Sequence, residues 1–199
     1  MIVEKHNRAK VILRTLSASL LLLTPTCLWS LDLQTVLENT AVKPPARIGF
    51  REERHNPMLK EPIILTGYLE YLKPGQLRKV IETPFEEAFL ITEYSIEIER
   101  DGKTRRLSLR KSTAVRAMLG GIEAILAGQT DRLASVFRYE LSGTSASWSL
   151  QLEPISAKLS AQLTAMLVQG DENSATSIRM DLKDGEWSLM EFLLDESGP

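Results

Sequence analysis

Residues 63–84 read Ile63-Ile64-Leu65-Thr66-Gly67-Tyr68-Leu69-Glu70-Tyr71-Leu72-Lys73-Pro74-Gly75-Gln76-Leu77-Arg78-Lys79-Val80-Ile81-Glu82-Thr83-Pro84. The first ten residues are rich in β-branched and aromatic side chains, which suit a pleated strand. Lys73-Pro74-Gly75 then carries turn chemistry: proline presets φ, and glycine accepts the backbone angles that close a tight reversal. Gln76 to Thr83 runs back as a second strand and stops at Pro84. A short turn between two strands forces antiparallel pairing, so this stretch reads as the seed of an antiparallel sheet.

The same grammar continues on both sides. Upstream, Leu33, Val36 and Leu37 fall at helical spacing, and Pro44-Pro45 ends that short helix before a strand begins at Ala46. Downstream, Ala88 to Thr92 and Ser95 to Arg100 form the next strands. Asp101-Gly102 is a hairpin signal, and Thr104 to Leu109 completes the pair. The apolar period then lengthens through Ala114, Val115, Met118, Leu119, Ile122, Ile125 and Leu126, which predicts one or two helices. Gly120-Gly121 is expected to act as a hinge there and Gly128 as a stop, with a further helical turn over residues 131–136. Strands resume at Arg138, turn at Ser142-Gly143-Thr144, and alternate cleanly through Trp148, Leu150 and Leu152. Three more are expected over 163–169, 177–183 and 186–194. The expectation is α+β: one short helix, about six strands, a helical insert and about five more strands. About eleven antiparallel strands in order suggest one strongly curved sheet, an incomplete half-barrel with helices on one side.

At 199 residues and 22.3 kDa the chain is long enough for one well-filled domain. Residues 1–30 read as a signal peptide. Basic Lys5 to Arg14 precede an apolar run over 16–23, followed by Pro25 and a cleavage site after Ser30. The domain would then occupy 31–199, with twenty basic and twenty-five acidic residues. That acidic balance argues against nucleic-acid binding. The single cysteine, Cys27, lies where a lipoprotein precursor would carry its lipidated thiol, although Thr24-Pro25-Thr26 matches that processing pattern poorly. Otherwise it leaves with the signal peptide, and the exported chain holds no thiol.

A catalytic set is hard to assemble. Beyond residue 30 the only histidine is His55, so neither a histidine metal cluster nor more than one histidine-based triad can form, and no metal or cofactor is implied. His55 sits among charged residues and reads as a solvated edge histidine. Adjacent Glu52-Glu53 and Glu86-Glu87 point to opposite faces of a strand, so neither pair converges on one bond. No phosphate-binding glycine loop or nucleophile elbow is present. Lys103, Arg105 and Arg106 read as the solvated, edge-protecting face of a hairpin.

The informative pattern is collective. Leu69 and Tyr71, Phe89 and Ile91, Ile96 and Ile98, Leu107 and Leu109, and Trp148, Leu150 and Leu152 each define an apolar strand face. Such faces either fill a core beneath the helices or line a cavity, and composition does not separate the two.

The whole pattern resembles the LolA/LolB-type periplasmic carriers of outer-membrane lipoproteins. The resemblance rests on Ile48-Gly49-Phe50-Arg51-Glu52-Glu53 as first strand and on Thr66 to Gly75, which is similar to the family's Gly-x-Leu-x-x-x-Arg-Pro-Gly segment. Leu77 to Pro84 and Trp148 to Pro154 resemble its proline-terminated strands. It implies an 11-stranded half-barrel with helices over the concave face. The hollow would shelter the acyl chains of a lipoprotein or another lipid. An inner-membrane transporter or exporter would donate the cargo and an outer-membrane acceptor would receive it, with no covalent step and the carrier acting as a periplasmic monomer.

The residues expected to line the hollow are Leu65, Leu69, Tyr71, Leu77, Ile81, Phe89, Ile91, Ile96, Ile98, Trp148 and Leu150. Val115, Met118, Leu119 and Ile122 are expected on the underside of the lid. The resemblance also implies a lid latch at Lys73, where the studied carriers have an arginine, and lysine lacks that residue's planar fork of donors. The aromatic positions that usually follow are Leu77 and Lys79 here. A Cys27-anchored acceptor and an envelope adaptor protein that binds no lipid remain the alternative readings.

Overall fold

The computed structural model describes residues 31–193, so the expected signal peptide and Cys27 lie outside the described residues. Helix α1 (Leu33–Asn39) begins at Asp32, whose carboxylate accepts from the Thr35 N–H and so satisfies one of the free donors of the first turn. Six strands follow: β1 (Ala46–His55), β2 (Ile63–Lys73), β3 (Gln76–Thr83), β4 (Glu87–Thr92), β5 (Ser95–Arg100) and β6 (Lys103–Ser108). Helices α2 (Thr113–Leu126) and α3 (Thr130–Val136) lead to β7 (Phe137–Thr144) and β8 (Ser147–Pro154). After α4 (Ala157–Ser160) come β9 (Leu163–Gly170), β10 (Ala175–Leu182) and β11 (Trp187–Leu193).

All eleven strands form one antiparallel, unclosed sheet in the order β6-β5-β4-β3-β2-β1-β11-β10-β9-β8-β7. The two meanders are joined where β1 pairs with β11. That order explains the helices. β6 and β7 are the two edges, so the segment between them has to cross a face, and α2 and α3 are that crossing. Curvature is helped by register shifts at Thr66/Gly67 in β2 and at Ala175/Ser177 and Asp181/Leu182 in β10. At Gly67 any Cβ would fall on the Val80 carbonyl, so the bulge admits only glycine.

The β-pattern expected from the sequence matches the observed order of six strands and five. Asp101 and Gly102 both take positive φ, as the tight hairpin turn requires. Three local readings need correction. Gly120-Gly121 is no hinge, because α2 is one continuous 14-residue helix. Gly121 is instead a site of close approach, where a Cβ would fall into the Phe137 ring. The turn at 142–144 lies later, since β7 runs through Thr144 and pairs it with Ser147. His55 is not an edge residue: β1 is central, and the imidazole stacks on Trp187 with ring centres 5.4 Å apart. Helix α4, four residues long, is too short to give a sequence period.

Candidate functional site: the concave face of β1 to β6

Strand register turns the alternating patterns into rows across the concave face. One row runs Tyr71, Leu77, Ile91, Ile96, Leu107 through β2 to β6. The next runs Ile48, Leu69, Lys79, Phe89, Ile98. On the other side of β1, a row runs Leu141, Leu150, Val168, Ile178, Met190. Every expected lining residue therefore shares one face.

Their surroundings differ sharply. Trp148 and Leu150 belong to a large packed core with Leu152, Leu163, Met166 and Val168 of the sheet and Leu37, Ala124, Ile125 and Leu133 of the helices. Leu150 has no solvent exposure, and the Trp148 indole N–H donates to the Asp171 carbonyl at 2.6 Å. In the β1–β6 half the buried cluster is small: Phe50, Leu65, Leu69 and Ile81. Leu77, Phe89, Ile91, Ile96 and Ile98 are only half-buried there. Tyr71 is buried at the end of its row.

Two hollows flank this small core. A narrow cleft of about 50 Å³ separates Tyr71, Leu77 and Ile91 from Leu119, Ile122 and Leu126 of α2. At the opposite end of the strands a wider hollow of about 420 Å³ is walled by Leu59, Ile63, Met180, Leu182 and Trp187, with Met118 of α2 above. That volume lies in the range of small-molecule sites, ~300–1,000 Å³. The lid residues Val115, Met118, Leu119 and Ile122 are all half-buried, with Met118 and Ile122 packed against the large core as well.

The lid is tied down by a group the sequence did not single out. Glu123 accepts a hydrogen bond from the Gly75 backbone N–H in the β2–β3 turn, and its other oxygen pairs with Arg132 of α3 at 3.0 Å. Lys73 is exposed. It sits past a register shift, opposite Gln76, and the turn meets the lid through its backbone instead.

The floor also carries charge. Glu52 is buried beside Leu65 and accepts from the Lys79 ammonium and, in bidentate fashion, from Arg54 Nε and Nη2 at 3.0 and 3.3 Å. Burial pulls the Lys79 pKa below the usual lysine value, and the Glu52 charge offsets only part of that. Glu52 and Arg54 face the wider hollow. The sequence shows these three residues, but their convergence follows only from pairing β1 with β2 and β2 with β3.

Among the described residues no cluster of three or more His, Cys, Asp or Glu side chains could hold a metal ion, and no helix is long and apolar enough to cross a membrane. What the site offers is apolar, partly covered volume.

A family model described as outer membrane lipoprotein carrier protein LolA-like matches residues 26–192. No curated protein matches the chain by sequence. Solved structures similar to it include a LolA superfamily protein from Nitrosomonas europaea, 13% identical, covering 83% of this chain and 93% of that one, with a TM-score of 0.43. Lipoprotein LppX of Mycobacterium tuberculosis is 12% identical, with coverage of 84% and 97% and a TM-score of 0.46. A putative outer membrane lipoprotein-sorting protein domain from Vibrio parahaemolyticus is 8% identical, with coverage of 84% and 95% and a TM-score of 0.37.

Proposed function

The chain belongs to the LolA-like family of outer membrane lipoprotein carrier proteins, and we propose that it shelters acyl chains between the β1–β6 face and α2. In this reading residues 1–30 export the chain, and the domain from residue 31 works in the periplasm. It receives an acylated cargo, a lipoprotein or another lipid, from an inner-membrane donor and passes it to an outer-membrane acceptor. No bond is made or broken. Release follows from the difference in affinity along the route, and each methylene kept from water is worth ~0.8 kcal/mol.

The observation that carries the reading is the unequal filling of one apolar face. Leu77, Phe89, Ile91, Ile96 and Ile98 form a continuous apolar surface that stays half-buried, and α2 stands over its Leu77 and Ile91 end without filling the space between. A surface of that kind marks a binding site more often than a finished core. An acyl chain would enter by lifting α2 away from Leu77 and Ile91, which enlarges the narrow cleft at the cost of the Glu123–Gly75 contact.

Native mass spectrometry of protein purified gently from periplasm, followed by lipid extraction, tests the reading. A bound acylated species is expected, and its mass identifies the cargo. Protein that is lipid-free and also fails to take up a fluorescent acyl probe would overturn it. Met118→Glu, which puts a carboxylate over the wider hollow, should weaken probe binding at least about tenfold, or ~1.4 kcal/mol, with the fold retained.

A further inference from the structure

The lid and the edge strand before it share an unusual run of charge. Residues 103–116 hold Lys103, Arg105, Arg106, Arg110, Lys111 and Arg116 and no acid. With the neighbouring turn and β5 included, residues 93–116 have seven basic and four acidic residues. The rest of the described chain has thirteen basic and nineteen acidic. The described chain is thus acidic overall, and residues 103–116 are a stretch of it with six basic residues and no acid.

Edge protection accounts for part of this, since β6 is an edge strand and its residues 103–106 are exposed. It does not account for the sign. The other edge, β7, is kept apart by mixed charges, with Glu140 beside an Arg138 that pairs with Glu153. Nor does it reach Arg110, Lys111 and Arg116, which lie beyond the strand. Arg106 meets Glu97 at 3.5 Å, while the other five have no carboxylate within ion-pair distance among the described residues.

Arg110 and Arg116 both approach the ring of Tyr94, at 5.6 and 5.7 Å from its centre, and Tyr94 is 45% exposed. The Arg116 Nε–H is buried without a hydrogen-bond partner among the described residues. Arg116 also lines the narrow cleft, together with Glu93, so this stretch borders the cleft mouth. Two guanidinium groups gathered around an exposed tyrosine, with neither in an ion pair and Glu93 as the one acid beside them, at the opening of an apolar cleft, match the chemistry of a bilayer interface. Anionic headgroups would satisfy the cations, and tyrosine rings favour headgroup depth.

We propose that the margin formed by β6, the Tyr94 turn and the start of α2 docks on an anionic lipid bilayer, bringing the cleft mouth to the headgroups. The inference rests on the carrier reading only for its purpose, the passage of an acyl chain between bilayer and cleft. The acidic remainder of the domain is repelled by the same surface, which fixes the orientation of approach.

Co-sedimentation with vesicles of phosphatidylcholine alone, or with phosphatidylglycerol added, tests the docking. The full-length domain from residue 31 should bind only the anionic vesicles, and ~500 mM salt should abolish binding. Arg110→Glu with Lys111→Glu should weaken it at least about tenfold, because each basic residue at such a surface contributes ~1 kcal/mol. Lys60→Glu with Lys158→Glu makes the same charge change at the opposite end of the strands and should alter it less than about twofold. Uptake of a monomeric acyl probe from solution, measured in parallel, should be unchanged in the Arg110/Lys111 variant. Failure to bind anionic vesicles, equal binding to neutral ones, or equal loss in both variants would overturn the docking proposal. Loss of probe uptake in the unaltered protein would instead strike the carrier reading.

Discussion

The two halves of the sheet have the same alternating pattern and opposite fates. In β7 to β10, inward residues such as Leu150, Leu152, Met166 and Val168 are fully covered by α1, α2 and α3. In β3 to β5, Leu77, Phe89, Ile91, Ile96 and Ile98 on the same face remain half-buried, beside the small buried set of Leu65, Leu69, Tyr71 and Ile81. The first half is a core that holds the second in shape. A sheet with both halves filled would be stable and have nowhere to put a ligand, and one with both halves open would lack the interior to fold around.

The largest effect that should separate the halves is on stability. Leu150→Ala is expected to cost ~2–5 kcal/mol in urea unfolding, since a fully packed site leaves a cavity. Ile91→Ala, at a half-buried position on the open side, should cost less than ~1.5 kcal/mol. Equal losses would erase the distinction. The charged floor gives the next largest. Lys79→Met leaves the buried Glu52 with Arg54 as its remaining partner and should destabilise by ~3 kcal/mol, while adding Glu52→Gln should recover most of it. If the double variant is no better than the single, the charges are not acting as a pair.

Lys79 also makes the comparison pH-dependent. Its folded-state pKa lies below the unfolded value near 10.5, so between those two values the unfolded chain holds more protons and stability rises with pH. Unaltered protein should therefore gain on Lys79→Met as pH climbs through that window and not below it. The smallest effect concerns the lid. Glu123→Ala removes its bond to the Gly75 N–H and should speed acyl-probe uptake about fivefold, or ~1 kcal/mol, with little change in the unfolding midpoint. An unchanged uptake rate would mean that Glu123 does not gate entry.

Much of the architecture could be read from local chemistry. Lys73-Pro74-Gly75 and Asp101-Gly102 announced their hairpins because proline and positive-φ residues leave few alternatives. The concave face was legible too, because a period of two assigns each side chain to a face before any partner is known. Which faces would be filled was not legible. Trp148 and Leu150 have the same alternation as Ile96 and Ile98, and only the path of α1 to α3 over the sheet tells them apart. Long-range polar pairs were equally hidden. Glu52 and Lys79 are 27 residues apart, and Gly75 and Glu123 are 48 apart. Gly120-Gly121 misled because a glycine pair in a helical period fits a hinge as well as a close contact, and the Phe137 ring that decides it comes from another element.

The central claim is that acyl chains occupy the open half and not the filled one. A diazirine-bearing fatty acyl probe, photolysed while bound and followed by peptide mapping, tests it most directly. The account predicts adducts on peptides from β3, β4 and α2, at or beside Leu77, Ile91, Leu119 and Ile122. Adducts concentrated on β7 to β9, or spread without preference over the surface, would contradict it.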